Sequence, residues 1–189
     1  MKILVTRHGQ TNWNVLKKVQ GQTDIELNDI GRQQAEETGE LIRNEKIDLI
    51  ITSSLKRAKE TAEIINKNFK VTIIEDNRLM ERKFGKSEGL TKNDIKMLKE
   101  SNPELNDVWN YNRNIDFGDM EKMQDFCNRI YNFLDDITKN YKEKNILLVT
   151  HGGVSAVIEC YFKNYPLENF VDRSIIKGLK NCEIAQYKA

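Results

Sequence analysis

Histidine is scarce in this chain: 189 residues include two, His8 and His151. Cysteine is scarce too. Cys127, Cys160 and Cys182 are odd in number and scattered, with no metal-ligand spacing, which argues against a disulfide framework or a cysteine-built metal centre. Buried thiols in a reducing cytoplasm are the expectation. An excess of one charge is missing as well: 30 basic residues face 29 acidic ones, for a net charge of +1. That balance argues against a nucleic-acid binder or a membrane-surface protein and requires any anion site to be local. No apolar run is long enough to span a bilayer, and the N-terminal run, too short for a signal peptide, is broken at once by Arg7 and His8. Neither a solenoid repeat nor a low-complexity tract is present. A hydrophobic fraction of 39% beside 31% charged residues calls for an economical core and a strongly ionic surface, on a chain still large enough to fold alone.

What is there is organised around the two histidines. Residues Lys2 to Thr6 form a short run carried by Ile3, Leu4 and Val5, long enough for a strand buried on both faces and too short for a helix. Arg7, His8, Gly9, Gln10 and Thr11 follow, where a parallel strand leaves its sheet and open α/β folds hold their ligands. Downstream, Ile146 to Val149 leads in the same way to Thr150, His151, Gly152 and Gly153. If the two strands are neighbours, the imidazoles face each other across one pocket.

Between them the chain reads as alternating strand and helix. Asn12 to Ile30 is polar and irregular and reads as a long ordered loop; Gly31 to Glu45 is helical, with Ala35, Thr38, Leu41 and Ile42 on one face. Ile47 to Ile51 is the second strand. Ser53 and Ser54 offer an N-cap to a helix striped by Leu55, Ala58, Ala62 and Ile65, and Val71 to Ile74 is the third strand. The segment from Glu75 to Phe117 breaks the rhythm, with capping-box spacings at Thr91/Asp94 and Ser101/Glu104. It reads as a helical lid insertion, about residues 76–118, within a single domain spanning 1–189, or equally as a plain surface subdomain. Asp119 to Tyr141 is a long core-covering helix with Met123, Phe126, Cys127, Ile130, Phe133, Leu134 and Ile137 inward. A helix from about Gly153 turns Val154, Val157, Ile158 and Tyr161 inward, and Glu183 to Tyr187 is a last strand at an edge. The fold class is therefore α/β with a mostly parallel central sheet.

Arg57 stands in the first turn of its helix, where a cation opposes the macrodipole at a cost of roughly 0.3 to 1 kcal/mol. A surface arginine can tolerate that cost; the alternative is that a rule broken locally marks function, with an anion docking among Ser53, Ser54, the free helix amides and Arg57. Gly152 and Gly153 likewise let backbone amides approach an anion. Two arginines, two imidazoles and helix amides at the ends of neighbouring strands suit a dianionic phosphate.

These residues also resemble a family. Arg7-His8-Gly9-Gln10-Thr11, Asn14, the GQTDIELNDIGRQQA segment from Gly21 to Ala35, SSLKRAKETA from Ser53 to Ala62, Glu81 in LMERKFGKSEGL, and Thr150-His151-Gly152-Gly153 are similar, in order, to the histidine phosphatase (phosphoglycerate-mutase-like) superfamily. The resemblance implies a three-layer α/β/α fold and transfer through phosphohistidine with neither metal nor cofactor. It makes His8 the nucleophile and Glu81 the general acid. Arg7, Asn14, Arg57 and His151 become the phosphate cradle, with Gln20 and the Gly152 amide as further contacts. In physical terms an in-line neutral imidazole, held in one tautomer, attacks, while two guanidiniums, with His151 either neutral or charged, take the place of Mg²⁺. Glu81 must then arrive protonated, through burial or the bound phosphate.

The resemblance points to the phosphatase branch, of the broad-specificity or α-ribazole phosphatase kind. GQTD differs from the GW-x-D of the mutases, and the insertion offers Arg113 and lysines instead of paired arginines. Arg82, beside the acid, leans toward the mutase pattern, and Gly118, Asp119 and Met120 stand where Gly-Glu-Ser occurs in many such phosphatases. The expected activity is hydrolysis of a small phosphorylated metabolite. A phosphoglycerate mutase and a non-catalytic phosphate-binding module are the alternatives, and the oligomeric state is left open.

Overall fold

The computed structural model describes residues 1–113, 115, 117–171 and 176–188. Part of the expected insertion, positions 114 and 116, lies outside the described residues. Five strands form one sheet: β1 (Lys2–Arg7), β2 (Leu49–Thr52), β3 (Ile73–Glu75), β4 (Ile146–Thr150) and β5 (Ile184–Lys188). Their order is β3-β2-β4-β1-β5, parallel throughout except for β5, which pairs antiparallel with β1 at the edge.

The two-residue period of the strands sorts their apolar residues onto two faces. Ile3, Val5, Leu49, Ile51, Ile146 and Leu148 pack on one side against α5 (Met123–Asn140) and α6 (Gly152–Lys163). Leu4, Ile50, Leu147 and Val149 pack on the other against Ala58, Ala62 and Ile65 of α3 (Lys56–Asn66), with α2 (Asp29–Leu41) laid alongside α3. Three layers, α/β/α, result. All seven apolar positions of the α5 stripe are buried, and emptying one of them, as in Leu134→Ala, costs about 2–5 kcal/mol. Cys127 and Cys160 are buried and Cys182 half-buried, all as free thiols, and burial pushes Cys127 up to about 12 and Cys160 up to about 11.

Several boundaries differ from the sequence reading, each for a local reason. A short helix, α1 (Asn12–Val15), interrupts the expected loop, because Thr11 and Asn14 close a capping box. α2 starts at Asp29, where the Asn28 side chain accepts a hydrogen bond from the Gly31 amide at 2.8 Å, and it ends before Ile42. Leu41, expected inward, is 77% exposed, while Ile42 is buried in its place. Neither Ser53 nor Ser54 caps α3. Its N-cap is Leu55, and the Lys56 amide donates instead to Asp24 Oδ1 at 2.8 Å.

The Thr91/Asp94 box does open α4 (Lys92–Ser101), but Ser101 ends that helix and opens none. Pro103 instead starts a 3-10 turn, Pro103–Asp107, as a proline at a first helical position does. α5 begins at Met123, four residues later than expected, with Gly118 at φ +62° in the approach. Tyr161 is half-buried; its hydroxyl donates to Asp135 Oδ1 at 2.6 Å. Leu105, Ile115 and Met120 form a third apolar cluster with Phe84, Leu98, Val108 and Phe117, separate from the two that cover the sheet.

Candidate active site

β1 and β4 are parallel neighbours with Arg7 opposite Thr150, so the chain leaves both strands at the same level. The His8 amide donates to the Thr150 carbonyl at 2.9 Å, carrying the ladder one step beyond the strands. His8 and His151 therefore emerge side by side, their ring centroids 5.1 Å apart at 57°. Both are almost wholly buried.

His8 Nδ1 lies 2.7 Å from the Gly9 carbonyl. A carbonyl only accepts, so Nδ1 carries the proton and Nε2 keeps its lone pair. Burial, with Arg57 and Arg7 adding to it, holds His8 well below the ordinary 6.5 of an imidazole. His151 is held well below it too, first by burial and then by Arg57. That direction disfavours the charged ring, one of the two forms expected of it. Its Nε2 sits 2.8 Å from Ser53 Oγ.

Arg57, fully buried, donates from Nη1 to Thr23 O at 2.9 Å and from Nη2 to Gly21 O at 2.7 Å. Arg7 donates from Nη1 to Leu179 O at 3.3 Å. Burial lowers both guanidiniums, Arg57 to about 10 and Arg7 in the same direction, with Glu81 opposing the shift in each case; both stay charged at neutral pH. Three buried nitrogens, Arg7 Nε, Arg57 Nε and His151 Nδ1, have no hydrogen-bond partner among the described residues. The two guanidinium Nε–H groups are buried donors, which are seldom left in this way in folded proteins and call for an acceptor, while the role of His151 Nδ1 follows the tautomer of its ring.

The remaining expected residues gather around this group. A cavity of about 350 Å³ is lined by Arg7, His8, Asn14, Gln20, Arg57 and Glu81, among others. Asn14 Oδ1 accepts from the Thr11 amide at 3.0 Å, and Gln20 Oε1 accepts from Thr11 Oγ1 at 3.1 Å. Glu81 is held by two backbone amides, Arg82 N to Oε1 at 2.9 Å and Gly153 N to Oε2 at 3.0 Å. Gly152 lies under Arg7, whose Nη1 would be 3.4 Å from a Cβ placed there.

Two expected anion contacts are already taken. At the start of α3 the Lys56 amide is held by Asp24, Ser54 Oγ donates to Asn77 Oδ1 at 2.7 Å, and Ser53 is bound to His151. At α6 the Gly153 amide is held by Glu81. Arg82 lies away from the cavity lining. It is buried, donates from Nε to Glu121 O at 2.8 Å and from Nη1 to Val108 O, and stands 5.4 Å from the Trp109 ring centroid. Arg113 is an exposed partner of Asp107 at 3.3 Å.

Sequence reasoning missed the residues that hold this group in place. Glu88 accepts from the Gln22 amide at 3.1 Å, the Thr23 amide at 2.8 Å and the Phe84 amide at 2.9 Å, and so fixes the loop whose carbonyls hold Arg57. Asn181 Nδ2 donates to His8 O at 2.8 Å, and Thr61 Oγ1 accepts from the Gly9 amide at 3.1 Å. Arg129 of α5 donates to Arg78 O at 2.6 Å and Glu81 O at 3.2 Å while pairing with Glu121 at 2.6 Å. Their sequence separations are long, and no local motif announces them.

The family model of the histidine phosphatase superfamily (branch 1) matches residues 3–188. The chain is 35% identical over 186 residues to an uncharacterized phosphatase, PhoE, of Bacillus subtilis, covering 98% of this chain and 90% of that one. It is 32% identical over 187 residues to a probable phosphoglycerate mutase, GpmB, of Salmonella arizonae, covering 98% and 84%. Among solved structures, a mycobacterial glucosyl-3-phosphoglycerate phosphatase in complex with VO3 superposes with a TM-score of 0.84 at 27% identity, covering 98% of this chain and 91% of that one. Two strand-end histidines beside a buried Arg57 and a half-buried Arg7, matched over nearly the whole chain, place this protein in branch 1 of the histidine phosphatase superfamily, as a phosphatase.

Proposed function

We propose that the protein hydrolyses the monoester of a small phosphorylated metabolite in the cytoplasm, through a phosphohistidine on His8 and without a metal ion. One observation carries the proposal: the Gly9 carbonyl at 2.7 Å fixes the Nδ1–H tautomer of a buried His8 that faces His151 between two guanidiniums. The phosphoryl group lies against Arg7, Arg57, Asn14 and His151, with Gln20 and the Gly152 amide at its margin. His8 Nε2 attacks in line; the new P–N bond forms as the ester P–O bond breaks, and the leaving oxygen takes its proton from Glu81. A water then gives a proton to the Glu81 carboxylate, its oxygen attacks phosphorus, the P–N bond breaks and phosphate departs. The fixed positive charge of two arginines supplies what a divalent cation supplies elsewhere. Residues 76–118 act as a lid that shapes the leaving-group side.

The kinship with a probable phosphoglycerate mutase favours a second reading, in which the phosphoryl group passes to another hydroxyl rather than to water. p-Nitrophenyl phosphate hydrolysis with a chelator present, run beside 3-phosphoglycerate isomerisation, separates the two. Phosphate release is expected to survive chelation and to fall by roughly three orders of magnitude or more in His8→Ala. Isomerisation exceeding hydrolysis favours the mutase, and neither activity removes both.

A further inference from the structure

The cavity continues past the imidazoles. At about 350 Å³ it falls in the range of sites that enclose a small organic molecule, and beyond Arg7 and Arg57 its wall includes Val19, Phe84, Ile95, Leu105, Trp109 and Met120. Two cations interrupt this apolar wall, Lys18 and Lys99. Both are half-buried, and neither has a carboxylate within ion-pair distance among the described residues, whereas Lys59, Lys83 and Lys163 each have one; Lys18 also stands 5.6 Å from the Trp13 ring centroid and acts on Asp94 at longer range. Their placement follows from α4. Lys18 is bridged antiparallel to Thr91 at the start of that helix, and Lys99 lies one turn beyond Ile95, on the face that lines the cavity. Glu81, at the phosphoryl end, is the only acidic residue lining the cavity among those described. The far end is therefore apolar in its walls and positive in its field.

We infer that the leaving group of the substrate is an alcohol with an apolar body that carries an anionic group, a carboxylate or a second phosphate, at the end remote from the ester. The inference rests on the proposed monoesterase reading for its orientation only: the ester end is the His8 end. An apolar body removes Phe84 and Trp109 from water, and the distal anion meets Lys18 and Lys99 in a partly desolvated setting where a charge pair is stronger than on an open surface.

Calorimetric binding of non-hydrolysable phosphonates tests this without turnover. In the wild type, 4-carboxyphenylphosphonate is expected to bind about five- to tenfold more tightly than its neutral isostere 4-carbamoylphenylphosphonate. The ratio should fall to about one in the Lys18→Gln/Lys99→Gln variant and return in Lys18→Arg/Lys99→Arg, with thermal melting reporting that each variant is folded. Phenylphosphonate should bind more tightly than methylphosphonate. Equal affinity of acid and amide for the wild type, or a ratio that survives the double substitution, overturns the distal anion site; equal affinity of phenyl- and methylphosphonate overturns the apolar body. Turnover of phenyl phosphate is read separately. Phosphonates that bind as expected on a protein that does not hydrolyse phenyl phosphate would remove the monoesterase and leave the subsite standing.

Discussion

A neutral imidazole in a buried, cationic setting sets the pH behaviour of this protein. Burial and two guanidiniums keep His8 below its ordinary 6.5, so the proposed nucleophile stays unprotonated under mildly acidic conditions. The acid limb of kcat/KM, corrected for ionisation of the substrate, is expected below pH 6.5; a limb at 6.5 would mean that neither burial nor the two guanidiniums act on the ring. Stability follows the same sign. His8 and His151 both have folded-state values below the unfolded 6.5, so between those values and 6.5 the unfolded chain binds protons that the folded chain does not. Their contribution is present above pH 6.5 and is lost as pH falls toward the folded-state values. Urea denaturation at pH 7 and pH 5 should show the lower stability at pH 5, and replacing both histidines by Gln should flatten that difference. Arg57 obeys the same logic of burial. It breaks the charge preference of a helix start because its guanidinium is turned into the protein, onto the Gly21 and Thr23 carbonyls, rather than left beside the helix amides.

At the scale of elements, the loop from Gln20 to Asp24 is the hinge of the site. Glu88 holds its amides, Asp24 ties it to the first amide of α3, and its carbonyls hold Arg57. Glu88→Ala should weaken inhibition by inorganic phosphate about tenfold and cost about 1–3 kcal/mol of stability, because several backbone amides lose their acceptor together. An unchanged phosphate inhibition constant would show that Arg57 does not depend on this loop. A second tight point joins α2 to the nucleophile loop. A Cβ on Gly31 would stand 2.1 Å from the Gln10 carbonyl, and one on Gly9 would stand 2.3 Å from the Gly31 carbonyl. Gly31→Ala is therefore expected to lose about 1–3 kcal/mol in urea denaturation. The strands and the α5 stripe were legible because their information is local: Ile3 to Val5 and Ile146 to Val149 are apolar runs of strand length, and Met123 to Ile137 keep a helical period. The start of α3 was not. Its amide partner, Asp24, lies 32 residues earlier, and no capping rule reaches that far.

For the molecule as a whole, a net charge of +1 hides a strongly uneven field. Along one cavity lie buried Arg57, half-buried Arg7 and one carboxylate, Glu81, together with Lys18 and Lys99, neither of which has an ion-pair partner among the described residues. The pairing of β1 with β4 was the part of the architecture the sequence could only pose as a condition, since nothing in either strand names its neighbour; once that pairing exists, both histidines must share one pocket. Arg82 shows the opposite case. Beside the acid it leaned toward the mutase pattern in the sequence, and packing makes it a brace between Val108, Glu121 and Trp109.

The proposed reaction turns on a covalent bond between phosphorus and His8 Nε2. The direct measurement is a rapid quench of the protein with ³²P-labelled substrate, followed by acid and alkali treatment and mapping of the labelled peptide. A label stable in base, lost in acid, located on His8 and absent from His8→Ala is the expected result. A catalytically active protein that carries no such label, or one whose label persists when His8 is replaced, would contradict the account.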